Sequence, residues 1–165
     1  MKRERRQPDP GNYEDPLQNY DPPTHADEFE RSLTEDALSV ITSTPFEAVE
    51  GSRSVDDVIK EMADRNVACA VVTDEDGRPL GVLSERDVMN RIADDYQAAK
   101  SKPVSEFMTK DPIVVHDSDP PAHVMNVMDS GGFRHVPIVD SDNKLVGVIG
   151  ARRVTKYLQQ HFDDV

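Results

Sequence analysis

The chain has no tryptophan, a single cysteine and eight glycines in 165 residues, and aromatic residues make up only 5% of it. With one cysteine, no intramolecular disulfide can form, and the setting of Cys69 in the apolar run VACAVV at 67–72 reads as a small buried hydrophobe. No stretch of about 18 apolar residues is present to span a membrane, and the N-terminus has charge but no apolar segment of the kind a secretory signal needs. These absences point to a soluble cytoplasmic protein. Without tryptophan, its core has to come mainly from Val, Ile, Leu, Met and Ala.

Basic residues are scarce too, with 19 Lys and Arg against 32 Asp and Glu for a formal charge of −13. Four of the 19 sit in MKRERR at 1–6, which leaves residues 7–165 at −16. Such a body repels nucleic acid and anionic membranes. It suits a cytoplasm at molar salt, where the screening length is about 3 Å and dense carboxylates keep the surface hydrated. The composition resembles that of proteins from salt-adapted archaea.

Residues 1–31 carry Pro8, Pro10, Pro16, Pro22 and Pro23 with many charges and no apolar period, and read as a disordered tail with a basic tip. Beyond it the pattern is α/β. Ser54 opens a helix with Asp57 in capping-box position and Val55, Val58, Ile59 and Met62 at helical spacing. Strands are expected at 67–73 and 79–83, and a helix from Glu85 to about Asp95. The unit then recurs. A strand is expected at 112–115, a helix from about Pro120 ended by Gly131 and Gly132, strands at 133–139 and 144–149, and a last helix through Val154, Tyr157 and Leu158.

An offset of 66 residues aligns the two copies without a gap: Val72 falls on Ile138, Asp74 on Asp140, Gly81 on Gly147 and Val82 on Val148. The expected domains are 36–96 and 102–160. Each is too small to be comfortably stable alone, so the two are expected to pack face to face.

The copies differ most in one turn, GVLSERD at 81–87 against GVIGARR at 147–153. It lies where a strand ends and a helix begins. Gly81 allows close approach, Ser84 stands at the N-cap, and the Asp87 carboxylate can accept two hydrogen bonds from a vicinal diol such as a ribose. Equally, S-x-x-D is a capping box, which Ser54 and Asp57 already form with no ligand implied. The four residues alone leave both readings open.

In its wider context the sequence resembles the CBS domain, a family found as tandem pairs called Bateman modules. The resemblance covers about residues 36–160. It rests on the order of elements, on Pro45 and Pro112 before the first strands, on FRHVPIVD at 133–140, and on GVLSERD, which matches the nucleotide motif G-h-x-S/T-x-x-D. It implies two three-stranded sheets with helices, related by a pseudo-two-fold axis. It also implies an adenosine-containing ligand such as AMP, ADP or ATP, with ribose and phosphate held by Asp87 and Ser84. The base would lie in a pocket around Thr42, Phe46, Val67 and Ala68, and Arg134 and His135 would reach the phosphate from the other copy. The mirror site, at Gly150 and Arg153, would lack both its clamp and its cations. Arg153 is left either reaching into the shared cleft or standing as an ordinary solvated or salt-bridged arginine. S-adenosylmethionine or a dinucleotide would satisfy the same clamp.

The five histidines show no H-x-x-x-H or H-E-x-x-H spacing, and no P-loop or G-x-G-x-x-G occurs. The expectation is therefore a non-catalytic regulatory module that needs no resident cofactor, binds an adenine nucleotide, forms a homodimer and signals to a protein effector. A ligand-independent interaction scaffold with a vestigial site is the competing reading. Nucleic-acid binding through MKRERR is a third, opposed by the acidic body.

Overall fold

The computed structural model describes residues 24–162, so most of the proposed tail, MKRERR included, lies outside the described residues. The tail boundary at residue 31 is drawn too late. Helix α1 spans Glu28–Glu35, opened by Asp27, whose carboxylate accepts from Glu30 N. Phe29 and Leu33 pack on the core of the second copy, and the buried Ser32 hydroxyl lies 2.8 Å from Tyr157 Oη.

The first copy consists of β1 (Glu47–Glu50), α2 (Val55–Asp64), β2 (Cys69–Thr73) and β3 (Pro79–Ser84). A helical stretch follows, made of α3 (Glu85–Asp87), a π-helical turn at Val88–Ile92, a 3-10 turn at Ala93–Asp95 and α4 (Tyr96–Ala99). It replaces the single regular helix expected there. Helix α2 is capped as expected, with Ser54 Oγ accepting from Asp57 N. The linker then adds β4 (Thr109–Lys110). The second copy has β5 (Val115–His116), α5 (Pro121–Gly131), β6 (His135–Val139), β7 (Leu145–Gly150) and α6 (Ala151–Phe162). The strand expected from Pro112 is shorter and begins at Val115.

In both sheets a parallel pair is followed by an antiparallel one: β1 with β2 and β2 with β3, then β5 with β6 and β6 with β7. The 66-residue period governs the backbone as well. The residue that ends each copy's first helix turns left-handed, Asn66 at φ 52° and Gly132 at φ 64°. Each hairpin does the same, Gly77 at φ 84° and Asn143 at φ 62°. In both hairpins an aspartate closes the turn: Asp74 Oδ1 accepts from Asp76 N and Arg78 N, and Asp140 Oδ1 from Asp142 N and Lys144 N.

The first sheet has four strands rather than three, because β4 pairs with β3 although it leads into the second copy. The exchange is reciprocal. Ser43, which leads into the first copy, accepts a hydrogen bond from Val148 N on β7 at 3.2 Å. Leu38 and Ile41 are buried in the second copy's core, and Val104 in the first's, with Phe107 and Met108 packed against it. Leu38 and Val104 are themselves 66 residues apart. Each copy's lead-in therefore completes the other copy's core, and boundaries at 36 and 102 follow the sequence period rather than the packing.

The alternation of β2 joins the layers. Ala70 and Val72 face the first copy's core, whereas Cys69 and Val71 meet Val148 and Leu145 of the second copy, with Phe46 and Val82 at the edge. A strand buried on both faces is why VACAVV reads as a continuous apolar run. Burial pushes the Cys69 thiol up to about 12, so it behaves as the hydrophobe its setting suggests.

Candidate functional site

A cleft of about 1050 Å³ runs between the two copies where β3 meets α3 and β7 meets α6. Its walls contain Thr42, Phe46, Val67, Ala68, Ser84 and Asp87 from the first copy and its lead-in, and Arg134, His135, Gly150 and Arg153 from the second. Of the residues proposed from sequence, Gly81 lies elsewhere. A Cβ at Gly81 would collide with the side chain of Met108, so this glycine admits the linker, not a ligand. Gly147 is its counterpart, where a Cβ would stand 2.7 Å from that of Ser43.

Asp87 and Ser84 form the capping box that sequence left as one of two readings. Asp87 Oδ2 accepts from Ser84 N at 2.9 Å and from Ser84 Oγ at 2.6 Å, and Asp87 N donates to Ser84 Oγ at 3.3 Å. The other carboxylate oxygen, Oδ1, is less committed. It has only long contacts, 3.4 Å each, to Thr109 Oγ1 and Arg91 Nη2. Capping fixes the carboxylate through Oδ2 and leaves Oδ1 without a short hydrogen bond.

In the mirror position Gly150 pairs across the ladder with His135, as Ser84 pairs with Cys69. A Cβ at Gly150 would lie 3.1 Å from His135 Cδ2, so loss of the serine makes room for the histidine ring. Arg153 is half-buried, and no carboxylate among the described residues lies within 4.0 Å of it. Its Nη1 donates to Val148 O at 2.8 Å and its Nη2 to Pro45 O at 2.6 Å, tying the second copy to the first copy's lead-in. Desolvation lowers its pKa from the ordinary arginine value.

His135 is not the cation that a phosphate contact was expected to supply. Desolvation first, and then the positive charge of Arg134, hold its pKa below the ordinary 6.5, so the free protein carries it neutral at pH 7. The unfolded chain takes up that proton more readily, so His135 costs stability below pH 6.5, and the cost is complete once pH is under the folded pKa. A proton NMR titration should show His135 titrating below 6.5, and moving upward when an anion enters the cleft. A ring already protonated at pH 7 would contradict this assignment.

Sequence reasoning missed much of the cleft's charge. Arg65, Arg86, Arg91, Arg152 and Lys156 also line it, so seven Lys and Arg face two carboxylates, Glu85 and Asp87, in a chain of net −13. Arg65 Nε stands 2.8 Å from the buried Glu47 Oε2, without hydrogen-bond alignment, and Arg91 leans on Asp87. Among the described residues, Arg86, Arg134, Arg152 and Lys156 have no carboxylate within 4.0 Å. Arg86 and Arg152 fall at unspecified positions of the turn GVLSERD and its counterpart GVIGARR, and Arg65, Arg91 and Lys156 lie outside both. Comparing the copies position by position was the signal that would have found Lys156.

The model of the CBS domain family matches residues 37–94 and again 104–160. The chain belongs to the CBS-domain family. Its two copies are a tandem CBS pair, the Bateman module. A 17.7 kDa protein of Acidianus ambivalens is 31% identical over 125 residues, 73% of this chain and 72% of the relative. Among solved structures, the CBS domain protein PAE2072 from Pyrobaculum aerophilum complexed with AMP is similar at TM-score 0.64 and 29% identity, covering 71% of this chain and 88% of that one. CBSX2 in complex with AMP gives TM-score 0.62 at 28% identity, with 74% and 94% covered. Further curated relatives are longer, and this CBS pair spans between 17% and 53% of their length.

No helix among the described residues is long and apolar enough to cross a membrane, and no His, Cys, Asp and Glu cluster there could hold a metal ion.

Proposed function

We propose that this CBS pair is a non-catalytic cytoplasmic sensor that binds one adenosine-containing anion in the cleft between its repeats. The observation that carries the reading is the convergence on one cleft of Ser84 and Asp87 from the first repeat with cations from the second, led by Arg134, that have no carboxylate within 4.0 Å among the described residues. The ribose bonds Asp87 Oδ1, the base lies among Thr42, Phe46, Val67 and Ala68, and the phosphate meets Arg134. His135 joins as a neutral donor that gains its proton on binding. The complexes of PAE2072 and CBSX2 with AMP support the ligand class. The ligand touches both repeats, so binding favours the arrangement in which they are drawn together. That shift is the signal passed to a second copy in a homodimer or to a protein effector.

Thermal unfolding in concentrated KCl, with AMP, ADP, ATP, S-adenosylmethionine and NAD added separately, tests the reading. A ligand specific for the folded form adds about 2.7 kcal/mol at a hundredfold excess over its Kd, a shift of several degrees. If none of the five moves the transition, the sensor reading fails and a ligand-independent scaffold takes its place.

A further inference from the structure

Asp87 and Arg153 stand at equivalent positions of the two repeats, but they serve different parts of the fold. The Asp87 carboxylate turns back on Ser84 and caps its own helix. Gly150 stands in the place of that serine and offers no hydroxyl, so position 153 has no cap to complete. The Arg153 guanidinium instead donates to two backbone carbonyls, Val148 O on β7 at 2.8 Å and Pro45 O in the lead-in of the first repeat at 2.6 Å. A planar fork with a fixed charge suits such a pair of acceptors, and these bonds are stronger than neutral ones.

The lead-in needs this tie more than its counterpart does. In the linker, Thr109 and Lys110 form β4, paired with Val82 and Gly81 of β3, and Asp111 N donates to Leu80 O at 3.2 Å. Ser43 and Thr44, at the same positions of the lead-in, form no strand, and the second sheet stops at three. Val148 N donates to Ser43 O at 3.2 Å, but Pro45, the counterpart of Asp111, has no N–H with which to repeat that residue's bond. Arg153 supplies from a side chain what the backbone does not. It holds the lead-in by the Pro45 carbonyl.

Next in the chain is Phe46, the aromatic member of the proposed base pocket. Its ring lines the cleft and packs against the cluster of Cys69, Val71 and Val148 at the junction of the repeats. The two anchors of Arg153 are therefore the residue that precedes Phe46 and a member of the cluster on which its ring rests. We propose that Arg153 is a positioning residue for base recognition: from the position of a second ribose clamp, it staples the first repeat's lead-in to the second repeat and holds Phe46 in place to receive the base. The inference rests on the nucleoside reading above and adds to it a residue that acts through Phe46. Holding the ring ahead of binding spares the ligand the cost of ordering it.

Isothermal titration of the full chain with AMP and with ribose 5-phosphate, at fixed KCl, reads the contribution of the base as the ratio of the two affinities. The wild type should prefer AMP by about tenfold or more, the worth of a base packed on an aromatic ring. Arg153→Met keeps a long stem but donates no hydrogen bond, and should take away most of that ratio. Arg153→Lys keeps the charge without the planar fork and should lose most of it too, which carries the test if methionine unfolds the protein. In a Phe46→Leu background, Arg153→Met should change the ratio by less than about twofold, because the ring it positions is already gone. A methionine or lysine variant that keeps the wild-type ratio overturns the positioning role and leaves the nucleoside reading standing. So does an equal loss with and without Phe46. AMP bound by the wild type no more tightly than ribose 5-phosphate overturns the base pocket and the proposal with it. If the wild type binds no AMP, the nucleoside reading itself fails, and the proposal falls too.

Discussion

Asp87→Asn should weaken AMP binding about a hundredfold or more, while the ligand-free protein unfolds within a few degrees of the wild type. The amide keeps the size of the side chain but gives up the charge and one acceptor. Each charge-assisted bond to a ribose hydroxyl is worth about 1.5 to 3 kcal/mol, so losing two accounts for the effect. The cap suffers less. Ser84 Oγ still accepts from Asp87 N, and the amide oxygen still accepts from Ser84 at the position of Oδ2, so the helix loses no more than about 1 kcal/mol. Calorimetry and a melting curve on the same sample separate the roles. Unchanged affinity removes Asp87 from the site, and loss of the fold together with affinity reduces it to a cap.

Leu38→Ala should cost about 2 to 5 kcal/mol and act on the second copy, although residue 38 belongs by sequence to the first. Leu38 is 1% exposed and lies among Val115, Val136 and Ile149 of the second copy. Native-state hydrogen exchange should therefore quicken first in β6 and β7, with β2 and β3 following. Urea midpoints give the size of the effect and exchange gives its place. Earlier opening of β2 and β3 would contradict the exchange of lead-ins. The same exchange explains why two units of this size form one structure, since neither core is complete without a segment from the other side.

The repeat, its period, the capped helix at Ser54 and the hairpin turns were legible because each is a local pattern. Apolar spacing, turn residues and a cap are settled within a few neighbours of the chain. The exchange of lead-ins was not legible: a period says that Leu38 and Val104 are equivalent, but not which copy either one enters. The π-helical turn at Val88–Ile92 replaces a helix whose apolar spacing read as regular. Helix α1 was hidden by its charge, because Phe29, Ser32 and Leu33 bury only against the second copy, which lies far along the sequence. At the site, the motif's Ser84 and Asp87 both line the cleft, whereas the close approach that Gly81 allows is made by Met108 of the linker, which no local pattern foretells. The cations escaped notice because a net charge of −13 describes the whole surface and not the wall of one cleft.

The central claim is that one cleft, built from both CBS repeats, receives one adenosine ligand. The most direct measurement is an amide NMR titration with AMP on the uniformly labelled full chain. The account predicts saturable shifts of a single dissociation constant, appearing together at Val67, Ala68, Ser84 and Asp87 of the first repeat and at Arg134, His135 and Ala151 of the second. Shifts confined to one repeat, or two sets with different constants, would contradict a shared site.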